Sequence, residues 1–556
     1  MKLNEILMDS QLLKRKQGLV TQMYNERTKY ETLWKKLSDY INPYRGRFYE
    51  EDGSLEGSRR DQCLINSYPM EVSRRCAAGL HSGLTSPSRP WFELSLKDEE
   101  KANYHPVRMW LNDVHDIMMS LHARGNSYEM LYNTEAEMCQ FGTGAALLMQ
   151  SYDTGMWCRY FTCGEYAGKL NNTGKAEMFC RKFFMDAYSM VNEFGKENVS
   201  QQVLNAYKSG DITTKFAVEM LIERNYEYDP DKLALGNFPW RSLYYEPWSS
   251  DKFLRISGYY EQPFILAPWE RIANAPYGIG CGHYSLGDCM QLQKIEENKL
   301  RATDNAVDPA MVYPSSMKDV DNMPGGVNFV PDGTVQQAYP LIDPRAKAYE
   351  GMVLLANETK QQIANSFYYD LMIMLAAQNT PQMTAREVAE RHEEKLLMLG
   401  PVLEQFYKNV LEVTTLRLFG ICHRNGILPP MPEEITKEEL DVKFVSLLAQ
   451  AQKMVSIPAI ENVVGFAGNL AAIYPEAQDI IDVDKVIRTV AVVRGAPEKI
   501  LRSEDEVAEI RKQRAQAQAQ AMQAQEAAAA AQPVKQYAEA ARLMSEVDTD
   551  KVERIL

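Results

Sequence analysis

Residue types that often carry out chemistry occur in this sequence only in incomplete patterns. Gly278, Gly280 and Gly282 form a glycine-rich stretch before a predicted helix. Their spacing differs from that of the G-x-G-x-x-G phosphate loop, and the pattern G-x-x-x-x-G-K-[ST] is absent from the chain. We therefore interpret this stretch as a turn that leads into a helix.

Metal-ligating and nucleophilic residues are equally incomplete. Cys281, His283 and Cys289 are close in sequence, but zinc usually takes a fourth ligand and a paired spacing such as C-x-x-C. His392 lacks the second histidine of H-E-x-x-H, and Ser285 lacks the first glycine of G-x-S-x-G. We expect structural thiols, no catalytic residue, no metal ion and no cofactor.

Composition and charge narrow the classes of function. The 556 residues include 61 basic and 75 acidic side chains, which give a net charge of −14. Such a chain should not grip nucleic acid over its whole surface, because phosphate affinity depends on clustered Lys and Arg. No apolar run reaches the roughly 18–20 residues of a membrane span, and the first residues lack a secretory signal pattern. The nine scattered cysteines predict reduced thiols in the cytosol.

The first half of the chain predicts helices mixed with antiparallel strands. Helices are expected over residues 18–41 and 106–122, and the apolar residues of the second helix fall on one face. Turn residues at 153–155 and 171–174 separate strand-sized runs, which indicates hairpins. Further strands are expected up to residue 269, with helical patches around 186–208. We predict an α+β fold that is predominantly helical over the whole chain.

From about residue 285 the sequence predicts two helices around a turn-rich insertion. The first helix should start at Ser285, and the second should open at Asp343 with Pro344 in its first turn. If the helices are antiparallel, the insertion over 310–342 lies at the tip of a stalk about 36 Å long. Two helices alone have too little core to be stable, so we predict that the chain oligomerises.

The C-terminal half contains a polar break and a long helix. Residues 378–382 are polar between apolar helix ends, and they form either a plain helix connection or a loop that enters a lumen. Gly400 and Pro401 should kink the long helix that follows. Thr436 and Glu439 form a capping box that should open a helical region reaching about residue 510. The Ala/Gln-rich stretch 515–532 is either a helix that partners stabilise or a disordered tail.

Three segments, in this order, resemble the head-to-tail connecting (portal) proteins of short-tailed, T7-like bacteriophages (podoviruses). The first is the segment 77–92, a small-residue run that continues through Thr85-Ser86-Pro87 and ends in Pro90-Trp91-Phe92. The second is Ser257–Phe264, followed by Trp269-Glu270. The third runs from Met383-Thr384-Ala385-Arg386 to Leu399-Gly400-Pro401-Val402. Together these segments make the resemblance extend over most of the chain.

The resemblance implies a dodecameric, non-enzymatic ring at one capsid vertex, through which DNA enters during packaging and leaves during ejection. Its parts would be a wing (1–284), a first stem helix (285–309), a clip (310–342), a second stem helix (343–370), a tunnel loop with a long kinked helix (371–425), a crown (426–510) and a helical barrel or flexible tail (511–556). A DNA-processing enzyme of the packaging machinery (a nuclease or an ATPase) and an internal scaffold protein are the competing hypotheses.

The resemblance also implies partners and contact residues. The clip would dock the large terminase subunit and later a tail adaptor, and its candidate residues are Val320, Asn328, Val330 and Thr334. Candidate DNA contacts are Lys347, Lys360, Gln378, Asn379, Thr380 and Gln382, the last four as neutral donors to phosphate. Alternatively, both lysines lie on a solvated or subunit-bridging face. The major capsid and scaffolding proteins would be further partners, and the location would be the virion after assembly in the host cytoplasm.

Overall fold

The structure is a computed structural model, and it divides the chain into two compact units, Met1–Ala459 and Ile460–Leu556. The described residues are 9–48, 63–98, 104–232, 236–249, 251–307, 311–312, 339–340, 346–376, 399–432, 435, 440–444, 457–471, 474, 481–493, 506–522 and 537–542. Each unit is described by itself.

The first unit contains helices and strands in alternation. Its helices are α1 (Ser10–Tyr40), α2 (Tyr68–Leu84), α3 (His105–Arg124), α4 (Ser127–Phe141), α5 (Ala187–Phe194), α6 (Gln201–Ser209), α7 (Cys281–Val307), α8 (Ala346–Ser366), α9 (Tyr369–Ala376) and α10 (Glu412–Arg424). Residues 399–411 are also helical and lead directly into α10, with one π-helical turn at Tyr407–Leu411. We call this continuous element the 399–424 helix.

The strands of this unit are short and pair with one another in antiparallel fashion. They are β1 (Phe92–Leu96), β2 (Thr143–Ser151), β3 (Gly155–Phe161), β4 (Tyr166–Leu170), β5 (Ala176–Asp186), β6 (Lys215–Arg224), β7 (Trp240–Tyr245), β8 (Arg255–Tyr259), β9 (Phe264–Pro268), β10 (Met311–Val312), β11 (Tyr339–Pro340) and β12 (Leu440–Phe444). They form a five-stranded sheet in the order β4-β5-β6-β7-β8, a three-stranded sheet in the order β3-β2-β9, and the pairs β1-β12 and β10-β11.

Both predicted hairpins are confirmed. The turn at 153–155 joins β2 to β3, and the turn at 171–174 joins β4 to β5. In the second turn, the side chain of Asn171 accepts hydrogen bonds from the backbone N–H groups of Thr173 and Lys175. This local bonding explains why an Asn-rich turn sits here, because Asn side chains mimic a backbone turn. The prediction of a mixed α+β fold is therefore also confirmed.

Strand β3 lies at an edge of its sheet, and a side chain closes part of that edge. The Asn126 amide donates to the Cys158 carbonyl at 2.7 Å, and its oxygen accepts from the Cys158 N–H at 2.8 Å. An amide that both donates and accepts reproduces the bonding of a neighbouring strand. The backbone of Cys158 is therefore satisfied without another strand.

Two hydrophobic clusters hold the first unit together. In the smaller one, Leu13 and Val20 of α1 pack with Leu221 and Leu243 of the five-stranded sheet. In the larger one, Trp34 at the other end of α1 contacts Tyr277 edge to face, with ring centroids 4.9 Å apart. The same helix therefore joins the sheet to the main core.

Two helices start earlier than the sequence predicted. The first begins at Ser10 rather than 18, because the Asp9 carboxylate caps it and accepts from the N–H groups of Gln11 and Leu12. The helix expected to start at Ser285 begins at Cys281. Ser285 is buried inside the helix, and its hydroxyl donates to the Gly282 carbonyl at 3.4 Å. The prediction that Ser285 starts the helix was wrong.

The helical region predicted to open at Thr436 and Glu439 is wrong over residues 440–444. These residues are strand β12, which pairs with β1 so that Val442 lies opposite Leu94. The alternation of Leu440, Val442 and Phe444 with polar residues fits a strand. Pairing with a segment almost 350 residues earlier outweighed the local capping signal.

The second unit is helical where it is described. It includes α11 (Ile457–Ala471), which starts just before the boundary between the units, α12 (Val483–Val493), and helical residues 506–522 and 537–542. Arg511 forms a bidentate pair with Asp484 of α12, with N–O distances of 2.6 and 2.7 Å. The helical residues 506–522 include 515–522, the first part of the Ala/Gln-rich stretch. For these residues the structure favours the helix over the disordered tail. Within the described residues, no helix has both the length and the apolarity that crossing a bilayer requires.

Candidate functional site

Helices α7 and α8 form an antiparallel hairpin, as the stalk hypothesis requires. Gln291 of α7 donates to the Thr359 hydroxyl of α8 at 3.5 Å. Strand β10 follows the C-terminal end of α7, and β11 precedes the N-terminal end of α8. The two strands pair in antiparallel fashion, with Val312 opposite Tyr339. The first and last residues of the 310–342 insertion therefore face each other. The insertion begins and ends at the far end of this hairpin.

The hairpin exposes large apolar side chains. Leu300 of α7 is 53% exposed, Val307 is 81% exposed and Leu354 of α8 is 70% exposed. Tyr349 and Leu355 are also exposed. A single exposed apolar residue is ordinary, whereas several on one pair of helices make this a candidate interaction surface.

Charges on the hairpin are balanced. The three cations of α7 each contact a glutamate on the same helix: Lys294 with Glu297 at 2.8 Å, Lys299 with Glu296 at 3.0 Å, and Arg301 with Glu297 at 2.5 Å. Helix α8 carries two lysines and two glutamates. The hairpin is therefore close to neutral although the chain has a net charge of −14.

The structure places two of the predicted DNA-contact residues on α8. Lys347 lies in the first turn of the helix. Lys360 is half-buried, and its ammonium group lies 5.8 Å from the ring centroid of Tyr68, the first residue of α2. The other predicted residues lie outside the described part of the chain, and these are Gln378, Asn379, Thr380 and Gln382 for DNA and Val320, Asn328, Val330 and Thr334 for the clip.

Helix α8 ends at Ser366, four residues earlier than predicted, and a sharp joint leads to α9. Tyr368 has a φ of 53°, which is uncommon for a residue with a side chain. Helix α9 then packs on α2, and a Cβ placed on Gly79 would lie 2.6 Å from the Cα of Met372. Gly79 therefore lets the two backbones touch. The small residues of the first resembling segment, Ala77 to Gly83, lie on the helix against which α9 packs, and we call this surface the seat of α9. This contact was not predicted from the sequence.

The end of that segment holds a buried polar cluster. The Glu135 carboxylate of α4 contacts His81 Nδ1 at 3.2 Å and the Thr85 hydroxyl at 3.3 Å. Burial raises the pKa of Glu135, and His81 and Thr85 oppose this effect. Burial lowers the pKa of His81, but the charge of Glu135 and the hydrogen bond to it outweigh burial and raise the pKa above its usual value. The cluster therefore ties α2 to α4.

The aromatic residues that follow enclose a histidine. Trp91 and Phe92 are buried, and their ring centroids lie 5.5 and 6.1 Å from that of His122 in α3. Neither ring nitrogen of His122 has a hydrogen-bond partner among the described residues. Burial lowers the pKa of His122 to about 4. The imidazole is therefore neutral near pH 7.

The second resembling segment clamps the 399–424 helix. The Glu261 carboxylate accepts hydrogen bonds from Arg417 at 2.7 Å and from Arg424 at 2.8 Å. The guanidinium groups of these arginines lie 5.0 and 4.9 Å from the ring centroids of Tyr259 and Tyr260. We call these five residues the Glu261 clamp. The clamp was not predicted from the sequence, although two arginines seven residues apart on one predicted helix indicated a possible shared partner.

The glycine-rich stretch is a place of close backbone packing. A Cβ on Gly280 would lie 2.4 Å from the carbonyl oxygen of Met138, and a Cβ on Gly282 would lie 2.3 Å from that of Gln140. A Cβ on Gly278 would lie 2.5 Å from the Gly142 oxygen. The glycines therefore allow the turn before α7 to lie against the end of α4. This close packing explains the glycine-rich stretch, so no phosphate-binding role is needed to account for it.

Cys281, His283 and Cys289 do not converge. Cys281 faces Cys76, His283 Nδ1 accepts from the Gly280 N–H at 3.2 Å, and Cys289 contacts the Ser285 hydroxyl at 3.8 Å. Among the described residues, no group of three or more His, Cys, Asp or Glu side chains has a geometry that could hold a metal ion.

Gly400 and Pro401 both lie in the 399–424 helix. The residues just before 399 are not among those described, so the kink at this pair stays a prediction. The described distortion of the helix is the π-helical turn at Tyr407–Leu411. Such turns change the direction of a helix and are frequent at functional sites.

Comparisons with known proteins agree with one another. The sequence model of the family described as bacteriophage head to tail connecting protein matches residues 13–501. The probable portal protein of Bordetella phage BPP-1 is 34% identical over 537 residues, which is 95% of this chain and 95% of that protein. The portal protein of Salmonella phage epsilon15 is 34% identical over 529 residues, 94% of each chain.

A solved structure, the neck of an empty GTA particle computed with C6 symmetry, aligns with 76% of this chain and 92% of that chain. The identity is 10% and the TM-score is 0.33.

Proposed function

Because this chain belongs to the family of bacteriophage head to tail connecting proteins, we propose that it is the portal protein of a phage capsid. Copies of it form a ring at one vertex, and double-stranded DNA passes through the central channel during packaging and ejection. The observation that carries this proposal is the similarity to portal proteins of two phages over 94–95% of the chain.

The exposed apolar residues of the α7–α8 hairpin support a ring. Leu300, Val307 and Leu354 would be covered by neighbouring copies of the same hairpin. A symmetric ring buries the same surface on each copy, and we propose twelve subunits. The hairpin is then the stem, and residues 1–284, 310–342, 371–425, 426–510 and 511–556 are the wing, clip, tunnel loop with kinked helix, crown and C-terminal barrel.

The balanced charge of the hairpin suits a channel through which DNA slides. Each cation that neutralises a phosphate adds affinity through counterion release, and many such contacts would hold the duplex in place. The α7 cations are occupied by glutamates on their own helix. We propose that the neutral donors Gln378, Asn379, Thr380 and Gln382, together with Lys347, make the few phosphate contacts. Lys360 contacts Tyr68 of its own chain, so its ammonium group would have to leave that ring to reach DNA.

We propose that the chain is a structural component and not an enzyme. Its partners are the large terminase subunit, which supplies ATP hydrolysis, the tail adaptor, and the major capsid and scaffolding proteins. The clip residues Val320, Asn328, Val330 and Thr334 are the proposed docking contacts for the terminase and the adaptor. The protein is assembled in the host cytoplasm and stays in the virion. ATP hydrolysis or DNA cleavage by the purified chain would count against this assignment.

Negative-stain electron microscopy of the purified full-length chain tests the proposal. We expect rings with a central opening wide enough for a duplex. Leu354→Glu should prevent ring formation and leave a folded monomer, because it places a charge on the exposed apolar surface of the stem. Ile212→Glu, at an exposed apolar side chain before β6, is the matched control and should still form rings. A wild-type chain that stays monomeric, or a particle without an opening, would refute the proposed function.

A further inference from the structure

Three buried cysteines meet where α2, α4 and α7 converge. Cys76 is in α2, Cys139 is in α4 and Cys281 is the first residue of α7, and each is at most 1% exposed. The sulfur atoms of Cys76 and Cys139 are 3.2 Å apart. The Cys281 thiol lies close enough to Cys76 to interact with it electrostatically.

A metal site does not explain this cluster. Zinc in a structural site takes four ligands, and the described residues include no group with the geometry to hold a metal. Burial alone does not bring thiols together, because Cys289 is equally buried and its sulfur donates to a serine hydroxyl. What distinguishes Cys76 and Cys139 is the direct contact between their sulfur atoms.

We propose that Cys76 and Cys139 form an oxidation site, in which a peroxide converts the two thiols to a disulfide that links α2 to α4. The Cys76 sulfur attacks one peroxide oxygen and breaks the O–O bond, which gives a sulfenic acid and hydroxide. The Cys139 sulfur then attacks the Cys76 sulfur and expels its hydroxide. The two hydroxides take up the two thiol protons. Two thiols thus lose two electrons, and one hydrogen peroxide becomes two waters.

The surroundings select Cys76 as the attacking sulfur. Hydrogen bonds from Cys139 and Cys281 lower the pKa of the Cys76 thiol below its usual value. Burial raises the pKa of Cys139 and of Cys281. The thiolate is the reactive form of cysteine, so Cys76 is the attacking sulfur once a local opening of the fold admits peroxide to the buried pair. A disulfide then requires the sulfur atoms to close from 3.2 Å to about 2.05 Å, an adjustment of about 1 Å.

The link would fix the element that seats α9. Helix α2 carries both Cys76 and Gly79, whose missing side chain lets Met372 of α9 approach. A covalent bond from α2 to α4 therefore restrains the support beneath α9. The biological setting of this oxidation rests on the function proposed above. A portal subunit is made in a reducing cytoplasm and leaves the cell in a virus particle, so its thiols pass into oxidising surroundings.

Mass spectrometry of the oxidised chain tests the proposal. The purified full-length protein is treated with hydrogen peroxide, with the dose raised until the exposed Cys63 reacts. The remaining thiols are alkylated in denaturant, and the chain is digested without reductant. We expect a Cys76–Cys139 linked peptide that is about 2 Da lighter than the sum of its two thiol peptides and that dithiothreitol separates. Cys289 should be recovered in alkylated form.

Variants and alternative outcomes make the result decisive. Cys289→Ser should still give the linked peptide, whereas Cys139→Ser should abolish it. Cys139→Ala replaces that variant if a buried hydroxyl prevents folding, and the wild-type measurement needs no variant. Alkylated Cys76 and Cys139 at a dose that oxidises Cys63, or a Cys76–Cys281 link instead, would overturn the assignment. The experiment requires neither rings nor DNA, so a negative result would leave the proposed function intact. Failure of the proposed function would likewise leave the oxidation site intact.

Discussion

Single side chains join parts of this chain that are far apart in sequence. In the Glu261 clamp, one carboxylate before β9 holds two arginines of the 399–424 helix. The Arg417 side chain is 3% exposed, so its charge has little access to water. A buried charge that loses its partner is costly. The clamp therefore contributes to stability chiefly by neutralising Arg417.

Replacing Glu261 tests this role. Glu261→Gln should lower the free energy of unfolding by about 2–4 kcal/mol, because Arg417 would remain buried without a counter-charge. Urea unfolding followed by circular dichroism measures the loss. The control is Glu404→Gln, which breaks the exposed pair with Lys408 and should leave the free energy of unfolding almost unchanged, because water screens that pair. Equal effects of the two variants would contradict the role of burial.

The buried His122 should make the folded protein less stable in acid. Its folded-state pKa of about 4 lies below the ordinary value of 6.5, so below pH 6.5 the unfolded chain takes up a proton that the folded chain refuses. Stability is thus complete above about pH 6.5 and falls as the pH drops towards 4. Between about pH 7 and pH 5 this group should account for a loss of about 2 kcal/mol.

The variant His122→Phe isolates this contribution. Phenylalanine fits the aromatic surroundings of Trp91 and Phe92 and cannot take up a proton. The difference in unfolding free energy between about pH 7 and pH 5 should therefore shrink by about 2 kcal/mol. Urea titrations at the two pH values measure it. An unchanged pH dependence would show that His122 is protonated in the folded chain.

At the scale of elements, local patterns predicted what local chemistry determines. The apolar periodicity of 106–122 and the turn residues at 153–155 and 171–174 correspond to observed elements. Strand β12 was missed because its identity depends on pairing with β1. The Glu261 clamp and the seat of α9 were missed for the same reason, since neither Gly79 nor Met372 indicates by itself that two helix backbones touch. The resemblance indicated which segments mattered, but not what they contact.

The contact between α2 and α9 gives a prediction with a built-in control. Gly79→Ala should destabilise the protein by about 1–3 kcal/mol, because the new Cβ would lie 2.6 Å from the backbone of Met372. Gly18→Ala makes the same change inside α1, where nothing lies within 4 Å of the new Cβ. This control should stabilise the protein by about 0.5–1 kcal/mol. Thermal and urea unfolding of both variants test the opposite signs.

At the scale of the whole molecule, the proposed function predicts that the α7–α8 hairpin serves assembly and that the insertion at its tip serves docking. The short β10–β11 pair joins the two ends of the 310–342 insertion. Replacing residues 313–338 by a short Gly-Ser turn keeps this pair, so rings should still form and be visible by electron microscopy. Binding of the tail adaptor and the terminase, measured by co-sedimentation, should be lost. Adaptor binding that persists would contradict the proposed clip, and rings that fail to form would show that the insertion takes part in assembly.

The amide of Asn126 on the edge of β3 has a consequence for the life of the subunit before it assembles. An uncovered strand edge accepts any extended chain, and subunits made in many copies would then zip together into off-pathway fibres. Because the bonds to Cys158 occupy that edge, strand addition is blocked at this point. The Asn126 side chain therefore protects this part of the β3 edge against strand addition by another copy of the chain.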